Sequence, residues 1–352
     1  MEEQAKVLDT AMGEGEMRQN PSGKIKDKGK LVFTLCTVGP SLLLFLVFVV
    51  VPVFYMFYTS LLKWDSIGEP EFQWFENYRV LFSSDGFKVA FRNTLFLIFF
   101  VTLFTIGFAL FFAAVLSKGK TKGKTFFRIV FYIPNILSIV VISAIFTAIL
   151  SPSYGVVNAI ANLFHAQYTG WLGNQKTVMW CIVAAMVWQA VGYYMVMYIA
   201  GMDSVPDHLY EAADLEGCSR FRQFFVITLP LTWEVIRTTL TFFIISTINM
   251  SFLFVDAMTQ GELNSHVLLS YMYEYFGSQY GYAMAIGTVV FVFAYAVSLC
   301  IYQFGTLLTG GGFGIGTIAA VAVAAGFLWL LTRPDPQKKK AAKVTGSPVA
   351  AD

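Results

Sequence analysis

The sequence predicts an all-α, polytopic membrane protein, and three observations support this fold class. Apolar residues make up 57% of the 352-residue chain and charged residues only 13%, a balance outside the range of soluble domains. The apolar residues lie in uninterrupted runs of about 18 or more, long enough to cross a bilayer as helices. Because these runs do not alternate with polar residues, they are not strands of a membrane barrel.

Seven apolar runs are candidate membrane spans. Six of them form the core spans, at 31–58, 94–116, 129–150, 178–202, 238–255 and 284–308. The seventh, 313–331, is an additional C-terminal hydrophobic helix rich in Gly and Ala, which either spans the membrane or lies re-entrant or on its surface. The chain therefore divides into a basic segment 1–30, a six-helix membrane domain 31–308 and a hydrophobic helix with a basic tail, 309–352.

The orientation follows from the lysine and arginine residues, which collect in short cytoplasmic loops of membrane proteins. Two lysine clusters flank the first two spans, one before the first span and one between the second and third: Lys24, Lys26, Lys28 and Lys30, then Lys118, Lys120, Lys122 and Lys124. We therefore predict a cytoplasmic N-terminus. Counting spans from there places residues 203–235 in the cytoplasm as well, and the basic N-terminal cluster against anionic membrane lipid.

Residues 203–235 form a polar, helix-forming insert between two apolar spans, which we call the elbow. Asp207 is a candidate helix cap, Gly217 breaks the helix, and Leu229 and Pro230 turn the chain back toward the membrane. Ala212 and Ala213 would allow a partner to approach closely, and Glu211 offers a charge to a basic partner residue. The spacing alone fits either an amphipathic connector or a docking element for a soluble protein.

Catalytic and metal-binding patterns are missing from the sequence. Four cysteines and three histidines are scattered without metal-ligand spacing. The Gly-Lys-Thr sequences within 117–125 lack the upstream glycine and the preceding strand of a phosphate-binding loop. We expect no catalytic residue, metal or cofactor on this chain, and no nucleic-acid partner.

Several stretches carry a family resemblance. YEAADLEG at 210–217, followed ten residues after Gly217 by ITLP, resembles the EAA motif of permease subunits of binding-protein-dependent ABC importers. The stretches WFENYRVLF (74–82), FYIPNILS (131–138) and VWQAVGYYM (187–195) are similar to the branch that includes the maltose and glycerol-3-phosphate importers. The resemblance covers residues 35–308 and implies the type I ABC importer fold in a bacterial or archaeal cell membrane.

The resemblance also implies partners and a mechanism. The chain would pair with a second, similar permease, two cytoplasmic ATPase subunits that bind ATP and Mg, and an extracytoplasmic solute-binding protein. In that family the elbow is a coupling helix seated in the ATPase, and the matching positions are Glu211, Ala212, Ala213, Gly217, Leu229 and Pro230. The sequence Thr259-Gln260-Gly261-Glu262 departs from the family's T-x-G-G-P, in a loop that would face the binding protein.

Polar residues within apolar spans are candidates for a substrate cavity, because burying them in lipid is costly. The resemblance points to Gln189, Gly192, Tyr193 and Tyr194 on the fourth span and to Thr247 and Asn249 on the fifth. Aromatic faces would stack on sugar rings, and amides and hydroxyls would bind sugar hydroxyls. Alternatively these polar groups only join helices, or the substrate site lies on the second permease.

The most specific function predicted is therefore ATP-driven uptake of a carbohydrate, with a di- or oligosaccharide favoured. Two other classes stay open, an ion-coupled secondary transporter and a non-transporting membrane scaffold. A secondary transporter usually carries ionisable residues deep in its spans. The one candidate, Asp256, lies near the outer end of the fifth span, where an interfacial position is the simpler interpretation.

Overall fold

The computed structural model describes residues 28–117, 123–164 and 170–308. The predicted segments 1–30 and 309–352 fall outside the described residues, except for residues 28–30. The described chain divides into two compact units, one up to Tyr55 and one from Met56.

The described elements follow one another in a simple order. The helices are α1 (Lys28–Phe45), α2 (Val51–Thr59), α3 (Glu76–Ser83), α4 (Asp85–Leu116), α5 (Lys124–Ile136), α6 (Ile139–Ile149), α7 (Val156–Leu163), α8 (Val178–Asp203), α9 (Asp207–Leu215), α10 (Arg220–Gln223), α11 (Leu229–Leu231), α12 (Trp233–Thr259), α13 (Leu268–Tyr275) and α14 (Tyr280–Leu308). Two π-helical turns, Leu46–Val50 and Phe224–Thr228, interrupt the first span and the elbow. Strands β1 (Leu62–Lys63) and β2 (Glu71–Phe72) pair antiparallel between α2 and α3.

The all-α, polytopic membrane prediction is confirmed, with five or six candidate spans where six core spans were predicted. Within the described residues, five helices are long and apolar enough to cross a membrane: Val32–Thr59, Asp85–Leu116, Val178–Asp203, Trp233–Thr259 and Tyr280–Ile301. The bent pair α5 and α6 passes the same test of length and hydropathy when the two helices are taken together, which gives up to six spans. The second span begins earlier than predicted, at Asp85, because the Ser84 hydroxyl accepts a hydrogen bond from the Phe87 amide and caps the helix.

The predicted third span, 129–150, is not one continuous helix. The chain bends by 100° between α5 and α6. Leu137 and Ser138 adopt extended backbone conformations, and the Ser138 side chain accepts a hydrogen bond from the Val141 amide, which starts a new helix. Pro134 lies inside α5 and removes one hydrogen bond to the carbonyl four residues earlier, which weakens the helix just before the bend.

The main core of the second unit lies between α4 and α8. Small residues on α4, including Ala109 and Ala113, are fully buried and let the two helices approach closely. Helix α12 packs against both of them through residues such as Phe243 and Phe254. This arrangement brings the middle of α8 and the middle of α12 side by side, although about 55 residues separate them in sequence.

Candidate functional site

A cavity of about 440 Å³ lies between α8 and α12 and is completed by α4 and α5. Residues at helical spacing supply its walls, because side chains three and four positions apart share one face of a helix. Its lining residues are Val101, Asn135, Met186, Gln189, Ala190, Tyr193, Tyr194, Phe242, Phe243, Ser246, Thr247, Met250 and Phe254.

The cavity combines aromatic surfaces with neutral hydrogen-bonding groups. Tyr194 packs edge-on against Tyr193 at 5.1 Å and against Phe243 at 4.7 Å between ring centroids. Gln189 and Asn135 supply amides, and Ser246 supplies a hydroxyl. None of the described residues that line the cavity carries a formal charge at pH 7. Such a wall suits a neutral, polyhydroxylated ligand better than an ionic one.

Four of the six predicted cavity residues line this space: Gln189, Tyr193, Tyr194 and Thr247. The Thr247 hydroxyl donates a 2.8 Å hydrogen bond to the carbonyl of Phe243, one turn earlier, so it mainly shapes the wall. The remaining two do not line it. Asn249 is exposed, and its amide lies 3.4 Å from the carbonyl of Ile245, because a shift of two residues turns it to another face of α12.

Gly192 packs against a neighbouring helix and does not line the cavity. It is buried against the α5 backbone, where an added Cβ would overlap the carbonyl of Phe131 and lie 2.8 Å from the Tyr132 nitrogen. The glycine therefore permits close contact between α8 and α5. That contact also places Asn135, three residues beyond Tyr132, at the cavity wall.

Asn135 is a cavity residue that the sequence interpretation missed. It was counted within one continuous apolar span, whereas it lies in the last turn of α5, just before the bend. The sequence Pro134-Asn135 followed by Ser138 was the available signal, since proline and a capping serine mark a helix boundary.

The elbow has a well-defined turn. Gly217 has a φ of 75°, which glycine adopts without the steric cost that other residues incur. The amide of Cys218 donates to the carbonyl of Ala213 at 2.9 Å, and that of Gly217 donates to Asp214 at 3.1 Å. These two bonds form a Schellman motif that ends α9. Asp207 is the first helical residue, and the predicted capping role is wrong, because Pro206 occupies the cap.

Side-chain contacts fix the two arms of the elbow against each other. Asp214 accepts hydrogen bonds from Arg220 at 3.0 Å and from the buried Gln223 at 2.6 Å. The hydroxyls of Tyr210 and Thr228 lie 2.8 Å apart in a buried contact. Because both contacts join α9 to the returning segment, the elbow can move as one body.

The elbow presents only some of its predicted docking residues at the surface. Glu211 and Ala212 are exposed, whereas Ala213 is buried against the rest of the elbow. Leu229 is half-buried and Pro230 exposed in the short helix that leads into α12. Leu215, 91% exposed, lies one turn beyond Glu211 and presents an apolar side chain at the surface that the sequence interpretation had not singled out.

A polar cluster joins the start of the elbow to two other spans. The Ser117 hydroxyl, after the end of α4, donates to Asp203 at 2.5 Å. Arg128 on α5 lies 3.6 Å from the other carboxylate oxygen of Asp203. The last residue of α8 is thereby linked to both α4 and α5.

At the opposite end of α12, the loop 259–266 has an unusual backbone. Gln260, Leu263 and Asn264 have positive φ angles of 53°, 57° and 59°. The Asn93 side chain holds the loop by donating to the carbonyls of Asn264 at 2.6 Å and His266 at 2.9 Å. Such conformations are costly for residues other than glycine and are concentrated at functional sites.

Comparison with known proteins gives consistent results. Residues 105–309 match the model of a family described as the inner membrane component of binding-protein-dependent transport systems. The probable ABC transporter permease protein YurN of Bacillus subtilis is 33% identical over 273 residues, 74% of this chain and 92% of that protein. The diacetylchitobiose uptake system permease protein NgcF of Streptomyces coelicolor is 30% identical over 306 residues, 81% of this chain and 85% of that protein.

A further relative and a solved structure extend the comparison. The arabinooligosaccharides transport system permease protein AraP of Bacillus subtilis is 29% identical over 268 residues, 74% of this chain and 84% of that protein. A crystal structure of a bacterial ABC transporter that imports the acidic polysaccharide alginate matches with a TM-score of 0.68 at 23% identity. It covers 81% of this chain and 98% of that chain, and at this identity it shows a common fold.

Proposed function

The chain belongs to the family of inner membrane components of binding-protein-dependent transport systems, and from that premise we propose that it is the permease subunit of an ATP-driven carbohydrate importer. One observation carries the proposal. Helices α8 and α12 form the cavity walls at their middles, and the same two helices continue into the two ends of the elbow. A displacement of the elbow therefore changes the separation of the cavity walls.

The chemistry of the cavity favours a neutral sugar. Relatives named for diacetylchitobiose and arabinooligosaccharides support a di- or oligosaccharide. A volume of about 440 Å³ falls within the roughly 300–1,000 Å³ of typical ligand pockets. Tyr193, 39% exposed, offers a ring face to a sugar, and Gln189 offers both donor and acceptor groups.

The mechanism that we propose is alternating access driven from the elbow. Two cytoplasmic ATPase subunits, which would bind ATP and Mg, hold the elbows of this chain and of a second, similar permease. When the ATPase dimer closes, the two elbows approach, α8 and α12 tilt, and the cavity changes the side to which it opens. The internal bonds of Asp214 and Tyr210 keep the elbow from deforming, so its movement passes to the helices.

The proposed orientation places the N-terminus and the elbow in the cytoplasm. The loop 259–266 then lies outside, at the far end of α12, and is our candidate contact for a solute-binding protein. Its positive φ angles and its anchoring by Asn93 favour a preformed docking element, which loses little conformational entropy on binding.

The test compares two acidic residues of the elbow. Glu211→Ala and Glu216→Ala each remove one exposed carboxylate; Glu211 lies within α9, whereas Glu216 lies just beyond its end. The complete transporter, purified through a tag on this chain, is assayed for ATP hydrolysis stimulated by its binding protein and sugar. We expect Glu211→Ala to lower stimulated hydrolysis about 10-fold or more, as expected for loss of a charged contact at an interface. We expect Glu216→Ala to retain most of it.

Two outcomes would contradict this proposal. If no ATPase subunit copurifies with the tagged chain, the importer assignment fails. If Glu211→Ala retains stimulated hydrolysis, or if both substitutions reduce it equally, Glu211 has no specific docking role.

A further inference from the structure

A second, larger cavity forms an open groove of about 880 Å³ between the last turns of α4 and the returning arm of the elbow. We call it the elbow groove. Its lining residues are Gly107, Leu110, Phe111, Ala114, Val115, Ser117, Met202, Tyr210, Arg220, Phe221, Gln223, Phe224, Phe225, Thr228 and Leu229. It shares no lining residue with the cavity between α8 and α12.

The walls of the elbow groove are apolar and open. Phe111 is 61% exposed on α4, and Phe221 and Phe225 are 76% and 50% exposed on the returning arm. Rings this exposed on facing walls form an apolar patch that water solvates poorly. The groove lies where the spanning helices α4 and α8 end, so its walls face the level of a membrane surface.

Two cations lie at polar residues of the elbow groove where α4 ends and the returning arm begins, and we call this part of the groove its polar end. Arg220 lines the groove, and its guanidinium is shared between Asp214 at 3.0 Å and Gln223 at 3.5 Å. Ser117, also in the lining, accepts a 2.6 Å hydrogen bond from the Lys124 ammonium through its carbonyl.

The acidic groups near this end are themselves paired with cations or donors. Asp214 binds Arg220 and Gln223, and Asp203 binds Ser117 and Arg128. Among the described residues named here, the three cations Arg220, Arg128 and Lys124 outnumber these two carboxylates by one. The polar end therefore has an excess of positive charge, which favours an anionic group.

We infer that the elbow groove binds an anionic phospholipid of the cytoplasmic leaflet. An acyl chain lies along the phenylalanines, and the phosphate lies at the polar end with Arg220 and Lys124. The apolar part of the groove matches the acyl chain of such a lipid, and the cations at its polar end match the anionic headgroup. Only the choice of leaflet rests on the proposed orientation. Because one wall belongs to α4 and the other to the elbow, an occupied groove would restrict the movement of the elbow.

The binding test uses the complete transporter purified through a tag on this chain and exchanged into detergent. Dioleoylphosphatidylglycerol and dioleoylphosphatidylcholine, which share acyl chains, are titrated and counted by native mass spectrometry. Ala114→Trp fills the groove, and Ala184→Trp places the same ring on an exposed face of α8 outside it. We expect phosphatidylglycerol to be retained by the native transporter and by Ala184→Trp, and lost from Ala114→Trp.

A charge variant tests phosphate binding at the polar end separately from acyl-chain binding along the phenylalanines. Lys124→Gln should weaken phosphatidylglycerol binding about fivefold and leave phosphatidylcholine binding unchanged, because one cation near a membrane surface contributes on the order of 1 kcal/mol. A photoreactive phosphatidylglycerol should label the peptides 107–117 and 220–229.

Three results would overturn the inference. In the first, Ala114→Trp retains as much phosphatidylglycerol as the native transporter does. In the second, Ala114→Trp and Ala184→Trp lose it equally. In the third, the thiol of a Phe225→Cys variant cross-links to the second permease in native membranes. The last result would mean that protein covers the groove. None of these readouts requires ATP hydrolysis, so a failure here is distinguishable from a failure of the importer assignment.

Discussion

Gly192 makes the sharpest prediction about packing in this protein. Its α-carbon lies directly against the α5 backbone, and a methyl group there would overlap the carbonyl of Phe131. Backbone atoms cannot rotate away as a flexible side chain can, so Gly192→Ala must push α8 and α5 apart. Since Asn135 lies one turn beyond Phe131 on α5, the displacement also moves a wall of the cavity between α8 and α12.

The cost follows from two opposing effects. Overpacking a tight contact costs about 1–3 kcal/mol. Alanine in a helix gains about 0.5–1 kcal/mol over glycine, which offsets part of this. We therefore expect Gly192→Ala to lower the free energy of unfolding by about 1–2 kcal/mol and to reduce sugar uptake.

The matched control is Gly107→Ala on α4, where an added Cβ meets nothing within 4 Å. This variant has the higher helix propensity of alanine and no steric overlap, so its free energy of unfolding should rise. Thermal unfolding of the two purified variants, with uptake in cells, measures both effects. If Gly192→Ala is as stable and active as Gly107→Ala, the close contact between α8 and α5 does not exist in the membrane.

Three further predictions concern the cavity, the elbow and the tyrosine pair Tyr271 and Tyr275. Gln189→Ala should weaken sugar binding about 2- to 12-fold, the loss expected for one hydrogen bond, whereas Asn249→Ala should leave it unchanged; equal effects in a binding assay would contradict the assigned lining. Gly217→Ala should lower the free energy of unfolding by about 1–2 kcal/mol, because residue 217 has a left-handed conformation, and Gly217→Asn should lower it less. We expect faster hydrogen exchange of α9 in the alanine variant alone. The hydrogen bond with Tyr271, together with burial, raises the pKa of Tyr275 to about 12. Since the unfolded pKa is about 10, its stabilising contribution is present below pH 10 and is lost as the pH rises toward 12, and unfolding curves of Tyr275→Phe should lack this part of the alkaline loss.

The number and approximate position of the spans could be predicted from the sequence because they depend on local properties. An apolar run of sufficient length forms a helix in a bilayer whatever its neighbours are. The fourth span, predicted at 178–202, is helix α8, Val178–Asp203. Gly217 could be recognised in the same way, since a break after a helix-forming run is a property of a few adjacent residues.

The bend between α5 and α6 shows the limit of that approach. Counting apolar residues over 129–150 gave one span, because hydropathy does not register the direction of the chain. Two conditions accompany the bend: Ser138 caps a new helix, and the α5 backbone meets Gly192 on α8. The second of these conditions is a contact between residues about 60 positions apart.

The sequence by itself determined the fold class, the spans, the elbow and the set of polar residues available for a cavity. Only the tertiary structure decided which of them face that cavity. Helices α8 and α12 are apolar on nearly every side, so hydrophobic periodicity does not reveal which face points inward. Thr247 and Asn249 are two residues apart on α12, yet only Thr247 lines the cavity. The rotation of each helix is set by close packing against its neighbours, and that packing is a property of the assembled bundle.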